Sequence, residues 1–299
     1  MNKQSLLMTG ATGLVGSRFV ELFGDKYQVI NMDLTTGVDI TKQETITPVV
    51  TANPAAKVLI HLAAFTDTNK AFAESGDKHG ICYKVNVEGT RNIAAICQKQ
   101  DIHLIHISTD FVFDGKKETA YTEDDPPCPI EWYGETKAMA EEVVKESGTS
   151  YTVVRLAYPY RARYDLKPDL VKKIRAGLES GALYPQFNDT TITPTFIDDI
   201  ATSFHKIIER KPQGILHVVG SSSLSPYALA QKVARIYGFD QDLVKEGSLT
   251  EYLKTNPRPF ARYASLSNAK ATSMLDVHFA TVDEGLVELK KQQATSKII

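Results

Sequence analysis

Leu6-Leu7-Met8-Thr9-Gly10-Ala11-Thr12-Gly13-Leu14-Val15-Gly16 is a short apolar run, a glycine-spaced turn, and the start of a segment carrying Phe19, Val20 and Leu22. That order predicts strand, loop, helix. Gly10 permits a tight turn, Gly13 lets backbone approach a pyrophosphate, and Gly16 allows close packing of helix on strand. The helix start offers N–H groups and a partial positive charge to phosphate. Gly10, Thr12, Gly13, Leu14, Val15 and Gly16 are therefore candidate cofactor residues. The spacing is Gly-x-x-Gly-x-x-Gly rather than Gly-x-Gly-x-x-Gly, but the context is that of a dinucleotide site. Asp33 follows Gly10 by 23 residues, where an acidic side chain can accept hydrogen bonds from the adenosine ribose. A carboxylate there repels a 2′-phosphate, so NAD is favoured over NADP; Arg18 is read as a solvated helix residue. Asp39 and Ile40 either reach the adenine or belong to a turn.

Working outward, strands and helices alternate through the first half. Tyr27–Met32, Lys57–Ala63, Ile102–Ser108 and Tyr151–Leu156 are expected strands; 77–100 and Tyr133–Glu146 are expected helices. Near-continuous apolar strands separated by helices predict a parallel sheet covered on both faces. The second half is less regular. Helices are expected over Asp169–Leu178 and Ile197–Arg210, and from Ser225-Pro226 to Gly238, with a strand at Ile215–Val219 and a helix capped by Ser267. The fold expected is α/β: a Rossmann-type doubly wound sheet with a smaller C-terminal lobe. The tail from Lys290 to Ile299 is expected to fray.

The chain has 299 residues, 42% hydrophobic content and a formal net charge of -2. A near-neutral balance argues against a broad nucleic-acid footprint. Cys82, Cys97 and Cys128 show no metal spacing and are read as reduced, buried or partly buried residues. No apolar run reaches the roughly 18 residues a membrane span needs. The polar start before Leu6 is unlike a signal peptide, which points to the cytoplasm.

Tyr133-Gly-Glu-Thr-Lys137 places a phenol and an ammonium one turn apart on a helix. A neighbouring cation is expected to lower the phenol's pKa and make it a usable acid or base. Thr109 stands at the end of the Ile102–Ser108 strand, 24 residues before Tyr133. A hydroxyl there can polarise a carbonyl while Tyr133 delivers a proton and a nicotinamide delivers hydride. Thr109, Tyr133 and Lys137 are the candidate catalytic residues, with Tyr133 and Lys137 also near the cofactor.

These motifs together resemble the extended short-chain dehydrogenase/reductases, and within them the dTDP-4-dehydrorhamnose reductase-like branch. The resemblance rests on the glycine loop, on His61-Leu62-Ala63-Ala64-Phe65-Thr66-Asp67, on Asn86-Val87-Glu88-Gly89-Thr90-Arg91-Asn92, and on Ser108-Thr109-Asp110-Phe111-Val112-Phe113-Asp114-Gly115. Phe196-Ile197-Asp198-Asp199-Ile200-Ala201 and Arg258-Pro259 extend it into the C-terminal half. It implies that Leu62, Ala63 and Ala64 contact NAD or NADP, and that Asp110, Val112, Phe113 and Tyr158 face a nucleotide-sugar substrate. It implies an NAD(P)-binding domain over 1–157, joined by about 190–219, with 158–299 mainly a substrate-binding lobe. A homodimer is compatible with it. Asn86 either supports the site or is a buried structural asparagine.

The chain departs from the branch at Tyr158, where a tryptophan is common, and over 67–77. Tyr160-Arg161-Ala162-Arg163-Tyr164 either binds a nucleotide diphosphate or is an exposed loop. The resemblance leaves two other functions open. One is nucleotide-sugar epimerisation or dehydration, disfavoured because Phe111 rather than Glu follows Asp110. The other is a non-catalytic NAD(P)-binding subunit similar to the methionine adenosyltransferase beta subunit. His61 and His106 are read as satisfied core residues, and Glu123-Asp124-Asp125 as a solvated loop.

Overall fold

The computed structural model describes residues 3–295. In chain order its elements are β1 Gln4–Thr9, α1 Leu14–Phe23, β2 Tyr27–Asn31, α2 Gln43–Thr51, β3 Val58–His61, α3 Thr68–Ala73, α4 Ile81–Tyr83, a wide π-helical turn Lys84–Gly89, α5 Thr90–Gln100, β4 His103–Thr109, α6 Trp132–Glu146, β5 Tyr151–Leu156 and β6 Pro159–Tyr160. There follow α7 Leu170–Glu179, β7 Gln186–Phe187, β8 Thr195–Phe196, α8 Ile197–Arg210, β9 Gly214–His217, α9 Pro226–Tyr237, β10 Glu246–Gly247, α10 Leu249–Leu253, α11 Ala269–Leu275 and α12 Val282–Ala294. Among the described residues no helix is long and apolar enough to cross a membrane.

Two compact units emerge. The first holds 1–112, 127–155 and 201–216; the second holds 113–126, 156–200 and 217–299. Residues 113–126, 156–157, 190–200 and 217–219 thus fall in the second unit, where the resemblance had grouped them with the sheet.

The first unit is built on the sheet β2-β1-β3-β4-β5-β9. The pairs β1–β2, β1–β3 and β3–β4 are parallel, in register at Leu6 with Val29, Leu7 with Leu59, and His61 with His106. This is the doubly wound Rossmann-type order. The chain turns back across the sheet between β1 and β3, and sheets of this kind bind ligands at the carboxyl edge of that switch point. Strand side chains alternate between faces. Leu7, Leu59, Leu104 and Val153 pack with Ile46 and Val50 of α2 and Ile93 and Ile96 of α5, each burial worth about 1.5–3 kcal/mol. Phe19 of α1 meets Phe204 of α8 edge-on.

The expected 77–100 helix is broken. Its first residues form a turn, and Lys84–Gly89 widens to π-helical geometry before α5 begins. A Cβ on Gly89 would lie 2.7 Å from Ile40 Cδ1, so the glycine lets this turn settle onto the loop after β2. Helix α2 was not legible, since its threonines and Pro48 are poor helix signals.

In the second unit β6 pairs with β8, and β7 with β10. Tyr160, Ile174, Phe196, Leu229, Val233 and Leu286 form its core. Asp169 caps α7, and Ser225 caps α9, which Gly238 ends in a left-handed conformation. The N-cap position of α11 is Asn268, which makes no side-chain cap bond; Ser267, one residue earlier, accepts from Ala269 N at 3.4 Å. Lys290–Ala294 do not fray: they continue α12, which a Thr281–Glu284 capping box starts. The rest of the expected frayed tail lies outside the described residues, apart from Thr295. Cys82 and Cys97 are buried, whereas Cys128 is exposed.

Candidate active site

The glycine loop is fixed by contacts that exclude larger residues. Gly10 has φ +70, and a Cβ there would meet Ala63 N and Leu62 C at 2.9 Å. A Cβ on Gly16 would lie 2.2 Å from Gly10 O. Leu62 N donates to Thr9 O at 3.1 Å, and Ala63 N to Thr9 Oγ1 at 3.1 Å. Loop and β3 end are therefore one rigid seat, with Leu62, Ala63 and Ala64 half-buried along it. Helix α1 starts at Leu14 with no side-chain cap on Gly13, leaving Leu14, Val15 and Gly16 as its first turn. That cradle and helix start fit a dinucleotide pyrophosphate.

Asp33 stands at this loop in a role the sequence did not reveal. Its Oδ1 accepts from Ala11 N at 3.0 Å; its Oδ2 accepts from Thr12 N at 2.9 Å and Thr12 Oγ1 at 2.8 Å. The carboxylate clamps the turn from below. Asp39 is a turn aspartate: its Oδ1 accepts from Thr41 N and Thr41 Oγ1. The Ile40 side chain lies against Gly89 and its carbonyl accepts from Asn92.

At the carboxyl end of β4, Thr109 and Tyr133 come together. Thr109 Oγ1 donates to Asp110 Oδ1 at 2.9 Å. Gly134 lets α6 start against the turn 110–112, since a Cβ there would lie 2.1 Å from Phe111 O. Phe111 meets the Tyr133 ring edge-on at 5.4 Å. Lys137, one turn along α6, is buried and donates from Nζ to Ile107 O at 2.6 Å.

The expected lowering of the Tyr133 pKa is not found. Burial pushes it well above the ordinary phenol value, and the Asp110 charge adds to this; the Thr109 hydrogen bond opposes both. The same burial lowers Lys137 to about 8, with Glu141 and Cys82 pulling upward. Desolvation outweighs the pairing that the four-residue spacing suggested.

Asp110 is pushed up to about 7 by burial, against hydrogen bonds from Thr109 and from backbone. Its Oδ2 has no hydrogen-bond partner among the described residues. A raised folded pKa means the native state binds the extra proton between the ordinary carboxylate value of 3.8 and about 7. Stability is then lost as pH rises through that window. Asp110→Asn, which keeps the shape without the charge, is expected to gain roughly 3 kcal/mol relative to the parent on going from pH ~4 to pH ~8. Denaturant unfolding at the two pH values measures it; a pH-independent difference would contradict the assignment.

Val112 is fully buried and its carbonyl accepts from Cys128 N. Phe113 is a core residue of the second unit, stacked on Tyr121 at 4.2 Å. Tyr158 belongs to that unit as well. It has φ +41, a left-handed value unusual for a bulky residue, immediately before Pro159. Thr109, Tyr133, Lys137, the glycine loop and Asp110 share the first unit; Phe113 and Tyr158 do not. Tyr160 and Arg161 are buried, so that stretch is not an exposed loop throughout.

Several supporting residues escaped the sequence. Thr9 Oγ1 accepts from Ala63 N and donates to His61 Nδ1, 2.7 Å away, because the His61 proton lies on Nε2. Thr90 Oγ1 donates to Asn86 O at 2.7 Å, so it accepts from His61 Nε2 at 3.2 Å. Asn86 Oδ1 accepts from Phe65 N, its Nδ2 donates to Thr136 Oγ1, and Thr136 Oγ1 donates to Tyr133 O. One buried chain of hydrogen bonds thus joins the cofactor seat to the first turn of α6. His61 is satisfied as expected. His106 is not: both ring nitrogens lack partners among the described residues, and its ring lies 5.4 Å from that of His61. Burial lowers both imidazoles, His61 to about 3. In the acidic run, Glu123 accepts from His217 N and Asp125 pairs with Lys117.

Comparison with known proteins places this geometry in a family. The model described as RmlD substrate binding domain matches residues 4–294. The chain is 29% identical over 276 residues to the probable low-salt glycan biosynthesis reductase Agl14 of Haloferax volcanii, covering 88% of this chain and 90% of that one. It is 29% identical over 270 residues to dTDP-4-dehydrorhamnose reductase of Mycolicibacterium smegmatis, covering 90% and 79%. Among solved structures, dTDP-4-dehydrorhamnose reductase from Bacillus anthracis in complex with NADP superposes with a TM-score of 0.88 at 26% identity, covering 97% and 100%. A family model spanning nearly the whole chain, with the glycine loop and the Thr109–Tyr133–Lys137 arrangement inside it, carries one conclusion: the chain belongs to the RmlD substrate binding domain family.

Proposed function

We propose that the protein is an NAD(P)H-dependent reductase of a nucleotide-linked 4-keto sugar, similar to dTDP-4-dehydrorhamnose reductase. The observation that carries this is the Thr109 hydroxyl beside the Tyr133 phenol at the carboxyl end of β4. Thr109 ends β4 and Tyr133 opens α6, both in the unit that holds the glycine loop. Bound NAD(P)H supplies hydride to C4. The protein's own work is to polarise the ketone oxygen with Thr109 and to protonate it from Tyr133, so that C=O becomes CH–OH. Lys137 holds the ribose and carries positive charge near the phenol as it loses its proton. Asp110 keeps the Thr109 hydroxyl directed until a ketone oxygen takes its place. The unpartnered Oδ2 then suits a sugar hydroxyl.

The nicotinamide preferred is NAD. Asp33 puts a carboxylate beside the glycine loop, a charge that would repel a 2′-phosphate, and Leu34-Thr35-Thr36 follow it without a cation. With dTDP-4-dehydrorhamnose as substrate, kcat/KM for NADH is expected to exceed that for NADPH by roughly tenfold. Loss of nicotinamide absorbance with each cofactor measures it. A ratio reversed toward NADPH would contradict the role given to Asp33. Absence of turnover on nucleotide 4-keto sugars would overturn the substrate class.

A further inference from the structure

Arg155, Glu141 and Ser108 form a buried polar group that the reaction above does not use. The Arg155 and Glu141 side chains are wholly enclosed. Arg155 donates from Nε to Glu141 Oε1 at 2.9 Å and from Nη2 to Oε2 at 2.7 Å. Ser108 Oγ donates to the same Oε1 at 2.6 Å. A buried ion pair of this kind is often replaceable by apolar side chains without loss of stability, so its presence asks for another reason.

Its place supplies one. Tyr133, Lys137 and Glu141 are spaced by four on α6 and share one stripe. The groups around Lys137 contribute little negative charge. His61 of β3 and His106 of β4 are held neutral by burial, with the Lys137 charge adding to that. The Cys82 thiol of α4 is raised by burial, and Tyr133 is kept as a neutral phenol. Asp110 and Glu131 act on Tyr133. Glu141 is the carboxylate whose charge supports the ammonium against its burial.

We propose that Glu141 is a positioning residue: clamped by Arg155 and Ser108, its carboxylate keeps Lys137 protonated in its buried place one turn from Tyr133. This rests on the reductase reading only for what Lys137 does in turnover. Arg155 also explains why Glu141 does not simply bond to the lysine. Its two bonds, with the one from Ser108, occupy both carboxylate oxygens, while Lys137 Nζ donates to Ile107 O of β4.

The test follows the Lys137 ammonium itself. Protein labelled at lysine Cε is titrated by NMR, with the signal assigned through Lys137→Met. Glu141→Gln removes the charge and leaves Arg155 unbalanced; Glu141→Gln with Arg155→Met removes both charges and protects the fold. Lys137 is expected to titrate on the order of one unit lower in the double variant, and lower still in the single variant where it folds. The basic limb of the kcat profile should move the same way. Unchanged Lys137 titration in the folded variants would overturn the proposal, as would a lower kcat with an unmoved pH profile. Because the titration needs no substrate, a parent protein without turnover would count against the reductase reading alone.

Discussion

Tyr133→Phe is expected to lower kcat by roughly three orders of magnitude while leaving nicotinamide binding within about twofold. The phenol oxygen is the proton donor in the account, and the ring is a packing element. The ring belongs to a small cluster with Ala71, Cys82 and Trp132, flanked by Phe65 and Phe111. Phenylalanine keeps that cluster and the edge-on contact with Phe111. It removes only the hydroxyl, whose deprotonation burial already opposes. The change removes one hydrogen bond with Thr109 and keeps the ring packing, so stability should fall by no more than about 1 kcal/mol. Single-turnover kinetics with cofactor bound separate the chemical step from binding. A modest loss in kcat, or a parallel loss of cofactor affinity, would place the proton donor elsewhere.

Gly16→Ala is expected to weaken nicotinamide binding at least about tenfold and to destabilise the protein by about 1–3 kcal/mol. The added methyl meets Gly10 O at 2.2 Å and Ala11 Cα at 2.9 Å. Both are backbone atoms, so relief requires moving the loop or the helix start. The loop cannot move alone. Gly10 is packed on Leu62–Ala63, and Asp33 holds Ala11 and Thr12 through three hydrogen bonds. Fluorescence titration with NADH and a thermal melt give the two numbers. Parental affinity in the variant would mean that the loop is not the pyrophosphate seat.

The sheet and glycine loop were legible because their signals are local. A buried strand is a run of apolar residues, and the loop is a spacing of glycines. Tyr133 and Lys137 were legible for the same reason, and the Ser225-Pro226 start and Gly238 stop of α9 matched their motifs. The supporting network was not, because its partners are far apart in sequence. Glu141 meets Arg155 across 14 residues and Ser108 across 33, and Asn86 meets Thr136 across 50. The misjudged Tyr133 pKa has a related cause: spacing shows which charge is near, but burial, which outweighs it here, is a property of the folded core. Asp33 shows the mixed case. Its distance from Gly10 suggested a ribose contact, while its grip on Ala11 and Thr12 required the turn's geometry.

The most direct test of the central claim is nicotinamide oxidation by the purified protein in the presence of dTDP-4-dehydrorhamnose, run beside Tyr133→Phe. The parent is expected to consume NADH and form the 4-hydroxy sugar, with near-complete loss of both in the variant. Equal rates in parent and variant, or no oxidation by either across nucleotide 4-keto sugars, would contradict it.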